Sequence, residues 1–397
     1  MRILFLSPRQ SWPANSGAKL RDYYLAQALG RRADLTYVFF SEPGSVSPRP
    51  ADLPFCRRIV SVPSPRLYTP PKIVRGFLGR WPLPVVNYTS DEMKAALAAV
   101  LRADRFDLVH LDSIHLAAYV SGVRQAATAP VVYDWHNIES ELMRRYCAGV
   151  RSPLRKLYAA WTAHRWAALE KQILLQAFGH AVCSERERAQ LLDIVPNARV
   201  AVIENGVDTA FFAAPPASSN RCRIVFVGSM RFHANIEAAV WFVRSVWPRI
   251  RERFPAWRLT LVGYDPAPAV LALRGEANVE VTGTVRDVRP YYREALAAIV
   301  PLRTGGGTRL KILEAMAAGV PVVSTALGAE GLAVSPGRHL LIADRQEDWL
   351  RLLSALSLQD DLWKGLVTAG QDLVQTRYDW EILGNTLFET YSQWLNR

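Results

Sequence analysis

The densest run of residue types able to do chemistry spans Pro301 to Ser324. It reads Pro-Leu-Arg-Thr-Gly305-Gly306-Gly307-Thr308-Arg309-Leu310-Lys311-Ile-Leu-Glu314, then Ala-Met-Ala-Ala-Gly319-Val-Pro321-Val-Val-Ser324. An apolar run ends at Leu302, three glycines turn the chain, a helical pattern opens at about Thr308, and Gly319 stops it ahead of Pro321 and a second apolar run. The free N–H groups and the dipole of such a helix start favour an anion. With no side chains, Gly305, Gly306 and Gly307 let a diphosphate reach the backbone, where Thr308, Arg309 and Leu310 are candidates to donate amides. Arg309 and Lys311 add positive charge, and Glu314 can accept hydrogen bonds from ribose hydroxyls. The same pattern also suits a plain glycine loop closing a βα unit.

A second group lies in Val131-Val-Tyr133-Asp134-Trp135-His136-Asn137-Ile138-Glu139, at the carboxyl end of an apolar run. In open α/β sheets ligands gather at that edge. Asp134, His136 and Glu139 make no convincing zinc set, and His136 alone could simply cap the strand. His110 and Asp112 end another apolar run and stand as second-rank candidates. Near the amino terminus, Ser16-Gly17-Ala18 leads from the first apolar run into a helix, so Gly17 belongs either to a ligand-facing loop or to an ordinary connection. No Asp-x-Asp triplet occurs in the sequence. A bound diphosphate would therefore have to be neutralised by helix dipole and basic side chains, and no metal is expected.

These residues must be positioned by elements that recur along the chain. Val/Ile/Leu-rich runs alternate with helical periodicity, as a parallel sheet with crossover helices requires. The first series comprises Ile3–Leu6, Leu35–Phe40, Ile59–Val62, Leu108–Leu111, Val131–Tyr133 and Ala181–Cys183. A second series follows: Ile224–Val227, Leu259–Val262, Val279–Val281, Ala298–Leu302, Val320–Ser324 and Leu340–Ala343. Two doubly wound α/β domains are expected, 1–205 and 206–378, the second followed by one long helix over 379–397. The segment Pro43 to Pro84 reads as loops around one strand.

The chain has 397 residues, half of them hydrophobic, and a formal net charge of +12. Such a charge favours an anionic partner without choosing among a nucleotide, a nucleic acid and a lipid headgroup. No nucleic-acid motif accompanies it. Cys56, Cys147, Cys183 and Cys222 stand far apart, which suits free thiols in a reducing compartment. The amino terminus lacks the features of a secretory signal, and no apolar stretch reaches the roughly 20 residues that span a bilayer. The expected location is the cytoplasm. Arg144 to Lys171 interleaves basic and aromatic residues, so that it either meets an anionic membrane surface or packs its aromatics on the first domain.

The run Leu310 to Thr325, "LKILEAMAAGVPVVST", closely resembles the donor-binding element of family 4 glycosyltransferases, which are retaining enzymes of GT-B fold. Val202–Asp208, Phe226–Met230, Val281–Val285 and Tyr378-Asp379-Trp380 resemble that family too. The resemblance implies a nucleotide diphosphate sugar as donor, UDP- or GDP-linked, with no further cofactor, and a glycan, lipid-linked glycan or small molecule as acceptor. It implies that Gly228 lets the chain pass close to the donor and that Arg231 compensates diphosphate charge, unless Arg231 is a solvated surface residue. Backbone atoms at Val285 would face the base, and His136 would stand near the reacting sugar. The final helix would cross back to the first domain. On this basis His136, Arg231 and Lys311 are the catalytic candidates. The sequence departs from the family at Gly306, where the first of two glutamates is usual. A non-catalytic sugar-nucleotide sensor or scaffold, and an epimerase of the same fold, are the alternatives.

Overall fold

The computed structural model describes residues 1–14, 16–42, 44, 48–150, 152–213, 222–305 and 309–396. It divides into two compact units, Met1–Glu204 with Leu383–Arg397, and Asn205–Ile382. In the first unit the strands are β1 (Arg2–Ser7), β2 (Asp34–Ser41), β3 (Arg58–Pro63), β4 (Leu108–Leu111), β5 (Val131–Trp135), β6 (Gly179–Val182) and β7 (Val200–Val202). They form one parallel sheet in the order β3-β2-β1-β4-β5-β6-β7. The second unit holds β8 (Arg223–Val227), β9 (Arg258–Val262), β10 (Val279–Gly283), β11 (Ala295–Val300), β12 (Val322–Ser324) and β13 (Leu341–Ile342), parallel in the order β10-β9-β8-β11-β12-β13.

Central strands are buried along nearly their whole length because helices cover both sheet faces. Every residue of β4 and of β11 is buried, whereas the edge strand β3 has one buried residue in six. Winding reverses between β1 and β4 in the first sheet and between β8 and β11 in the second. Crossover helices leave in opposite directions at these two points, and the loops beyond the strand ends part there.

Of the twelve apolar runs named above, all fall on strands or their immediate ends. The short strand β7 is additional. Pro43 to Pro84 differs from its reading: beside β3 it carries the helices Pro70–Leu78 and Leu83–Asn87. Prolines mask these helices in sequence, yet at the first helical turn proline removes only an N–H that would lack a partner anyway. The basic segment from Arg144 is likewise two helices, Glu139–Gly149 and Pro153–Gln176.

The last helix, Trp380–Leu395, is packed tightly where it belongs to the first unit. A Cβ on Gly384 would lie 2.1 Å from that of Ala28, and one on Gly179 would lie 2.4 Å from the Trp394 ring. The Tyr391 hydroxyl meets His110 Nδ1 at 2.7 Å. Within the second unit, Val207 pairs with Asp379, and the Val207 amide donates to the Tyr378 carbonyl at 2.8 Å.

Candidate active-site residues

In the second unit the carboxyl ends of β8 and β11 carry the glycine-rich residues, and the helices Leu310–Ala317 and His233–Trp241 carry the polar ones. The glycines act here by making space. A Cβ on Gly228 would fall 2.6 Å from Lys311 Nζ and 3.0 Å from Asn235 Nδ2, and one on Gly263 would fall 1.6 Å from the Gly228 carbonyl oxygen. Into that space Lys311 Nζ donates to Asn235 Oδ1 at 2.8 Å while lying 4.5 Å from the centre of the Phe226 ring. Asn235 is held in turn by the Ser229 carbonyl at 2.8 Å.

Burial lowers the Lys311 ammonium to about 7, and neighbouring Arg309 adds to the effect. Burial likewise raises the Glu314 carboxyl above its ordinary value against the pull of Lys311, and Tyr292 Oη donates to Glu314 Oε2 at 3.5 Å. Arg309 is buried, with Gly305 beside it: a Cβ there would stand 3.4 Å from Arg309 Nη2 and 3.3 Å from Ala234. Gly305 has φ +100°, a conformation open to glycine.

The helix begins at Leu310, two residues later than the sequence pattern indicates, with Arg309 at its N-cap position. Gly306, Gly307 and Thr308 lie outside the described residues. Arg231 is exposed and paired with Asp265 at 3.1 Å. Val285 is partly buried and packs on the core after Gly283, whose φ is +77°. Lys311 and Glu314 are thus drawn together with Gly228, Gly305 and Arg309 at the β8/β11 switch point, and Asn235 joins them.

In the first unit the β1/β4 switch point holds a buried charge cluster. Arg21, 1% exposed, makes a two-pronged pair with Asp134, Nε to Oδ2 at 2.7 Å and Nη2 to Oδ1 at 2.6 Å. Its remaining nitrogen donates to the Ile203 and Glu204 carbonyls. His136 Nε2 lies 3.0 Å from Asp112 Oδ1, 3.6 Å from Asp134 Oδ2 and 3.7 Å from Asp22 Oδ1. Asp22 Oδ2 accepts from Ser7 Oγ at 3.1 Å and faces Arg9 at 3.7 Å.

The electrostatics follow from crowding three carboxylates out of water. Burial pushes Asp134 up, but Arg21 outweighs it and holds the carboxylate below the usual range. Burial, with Asp112 nearby, drives Asp22 well above its ordinary value. Asp112 is raised by burial to about 7, and His136 is lowered by burial and then by Arg9 to about 4. His136 is therefore neutral near pH 7. An ionised Asp112 fixes its proton on Nε2 and leaves Nδ1 as an acceptor.

Two groups among the described residues have metal-ligand spacing, Asp22 with Asp112 and His136, and His110 with Asp112 and Asp134. In the second, Arg21 already engages both oxygens of Asp134. In the first, a proton on Asp22 relieves the same repulsion that a cation would. Glu139 is not part of this cluster and lies 3.6 Å from His115.

Gly17 opens the exposed start of the helix Gly17–Gly30, which carries Arg21 and Asp22 on its buried side. Sequence reasoning passed over Arg9, Arg21 and Asp22. The signal was present, since residues 21, 22, 25, 26 and 29 form one helical stripe and two of them are charged.

Two parallel doubly wound sheets, each with its polar residues gathered at a switch point, define the class: a two-domain α/β protein of GT-B architecture. Family models match both units, "Glycosyl transferase 4-like domain" over residues 16–206 and "Glycosyl transferases group 1" over residues 221–357, and the chain belongs to these glycosyltransferases. A D-inositol 3-phosphate glycosyltransferase of Salinispora arenicola is 27% identical over 78% of this chain and 76% of its own length. An "Uncharacterized 44.6 kDa protein in cps region" of Klebsiella pneumoniae is 24% identical over 43% of this chain, which spans about half (46%) of that relative. Anabaena Alr3699/HepE, solved with UDP and glucose, superposes with a TM-score of 0.66 over 99% of both chains at 14% identity, a likeness of fold.

Proposed function

We propose that the protein is a retaining, metal-independent hexosyltransferase that takes a UDP- or GDP-linked sugar and passes the sugar to a glycan or lipid-linked acceptor, in polysaccharide or glycoconjugate biosynthesis at the cytoplasmic side of a membrane. The observation that carries the reading is the arrangement at the β8/β11 switch point, where Gly228 clears room for Lys311 and Asn235, Gly263 at the end of β9 admits the Gly228 carbonyl, and Gly305 lies beside Arg309 ahead of a helix start. Amides at a helix start with two adjoining cations suit a diphosphate. Arg231 and Lys311 then stabilise charge on the leaving diphosphate, a contribution of order 3 kcal/mol for a well-placed donor. Glu314 accepts from ribose hydroxyls, and Val285 borders the base.

In the first unit neutral His136, held by Asp112, presents Nδ1 to a sugar hydroxyl. The UDP and glucose bound by the Anabaena protein support a nucleotide sugar as the ligand of this fold. No helix among the described residues is long and apolar enough to cross a membrane, so the proposed lipid-linked acceptor is met at the surface.

A thermal-shift screen of UDP, GDP, ADP and TDP sugars tests the reading, because a ligand bound only by the native state raises the melting temperature. One nucleotide sugar is expected to stand out, with radiolabel then appearing in a glycan or lipid fraction. A flat screen across all four bases removes the proposal.

A further inference from the structure

Two stretches of the chain contain no aspartate or glutamate, 53–90 and 142–169, and each carries six lysines and arginines. They hold eleven of the nineteen exposed large apolar side chains among the described residues. The fold brings the two stretches together. Arg165, on the helix Pro153–Gln176, donates to the carbonyls of Gly76, Gly79 and Trp81 at the end of the helix Pro70–Leu78. Phe77 stacks on Trp161 at 5.3 Å and lies 5.7 Å from Tyr158.

Little of this surface is covered. In the helix Pro70–Leu78 only Gly76 is buried. Leu78 is 85% exposed, Leu154 81% and Leu157 70%, with Val74 and Tyr68 also outside. Arg75, Arg80, Arg155 and Lys156 stand exposed beside them.

We infer that this face docks on a bilayer rich in anionic headgroups, with Leu78, Leu154, Leu157 and Phe77 entering the acyl boundary and the basic side chains meeting lipid phosphates. Charge and composition select that occupant. A second copy seated face to face would bring arginine against arginine, with Asp91 and Glu92 the acids within reach of Arg75 and Lys72. A nucleic acid would satisfy the cations but leave the leucines, valine and isoleucine with nothing apolar to bury against. An anionic bilayer supplies both partners at one depth. The inference rests on the reading that the acceptor is met at a membrane, and it is tested without any transfer reaction, so failure of the surface and failure of the transferase reading are separate results.

The test is co-sedimentation of the full chain with vesicles of phosphatidylcholine alone and with about one third phosphatidylglycerol added. Binding is expected only to the second, weakening as salt rises. Each lysine or arginine near such a surface changes partitioning by roughly fivefold, so Arg155→Glu with Lys156→Glu should weaken it by well over tenfold. Leu78→Ser with Leu154→Ser should weaken it comparably without changing the melting temperature, since both side chains are already in water. Equal binding to both vesicles, binding to neither, or binding unaffected by these variants overturns the proposal. So does a concentration-dependent dimer, seen by light scattering, that Leu78→Ser dissociates.

Discussion

Lys311 offers the sharpest test of the proposed donor site. Its ammonium is lowered to about 7, so at pH 7 about half of the free protein carries it as a neutral amine. A diphosphate arriving within hydrogen-bond reach requires the charged form, and binding must therefore take up a proton: about half a proton per site at pH 7 and ~0.9 at pH 8. The intact nucleotide sugar is the right probe, because its diester diphosphate does not titrate in that range. Calorimetry in phosphate and in Tris, whose ionisation heats differ widely, should give observed enthalpies that differ in proportion to the uptake. Affinity should fall roughly fivefold from pH 7 to pH 8 as the neutral fraction grows. Lys311→Met should abolish both effects and cost about 1.5–3 kcal/mol, the worth of a hydrogen bond to a charged group, or about 10- to 150-fold in Kd. Identical enthalpies in the two buffers, with the wild type bound, would refute the assignment of Lys311 to the diphosphate.

Asp112, raised to about 7, contributes stability that is present below its unfolded value near 4 and lost as pH rises through 7. Urea melts of Asp112→Asn should therefore show the variant gaining on wild type, by on the order of 3 kcal/mol, between pH 4 and pH 7; a pH-independent difference would mean that the carboxyl is ionised throughout. Gly263→Ala places a Cβ 1.6 Å from the Gly228 oxygen, and because that contact is backbone the cost should be about 3 kcal/mol, read as a lower melting temperature and weaker nucleotide-sugar binding. Donor binding and sugar transfer should both survive EDTA; loss of either, restored by magnesium or manganese, would contradict a diphosphate neutralised by side chains and helix dipole.

What could be read in the sequence follows from what burial imposes on it. Strands covered on both faces are mostly apolar, so β4, β5 and β11 begin as short apolar runs, with His110 and Asp134 the buried polar exceptions. The edge strand β7, Val200-Ala-Val202, is apolar but only three residues long, shorter than the runs that read as strands. Glycine and the helix around Lys311 were visible because backbone geometry restricts residue type locally. The Arg21–Asp134 pair was not, since its members are 113 residues apart and meet only through the order of strands. The helix Pro70–Leu78 was missed because its opening prolines read as a loop, although Ile73, Val74, Phe77 and Leu78 recur at helical spacing.

The two switch points differ in how far their cations are already engaged by carboxylates, and that difference orders the proposed roles. At β8/β11 Lys311 and Arg309 stand with one acid, Glu314, whose own carboxyl is pushed toward neutrality. At β1/β4 three carboxylates face two guanidiniums, and Arg21 is fully taken by Asp134 and two carbonyls. A unit charge brought to 4 Å is worth about 4 kcal/mol at an effective dielectric constant of 20, favourable beside Arg309 and beside Lys311 once it is protonated. The proposed placing of a diphosphate dianion in the second unit rests on Lys311 and Arg309 at a helix start and on Arg21 being already engaged in the first unit. Neutral His136, with its Nε2 proton directed to Asp112, offers Nδ1 as an acceptor, which suits a hydroxyl of a sugar or acceptor. On this assignment His136→Ala should lower the rate of transfer while leaving the calorimetric affinity for the nucleotide sugar within about twofold, because the diphosphate accounts for most of that affinity. A variant that lost donor binding in proportion to rate would place the phosphates at the wrong unit.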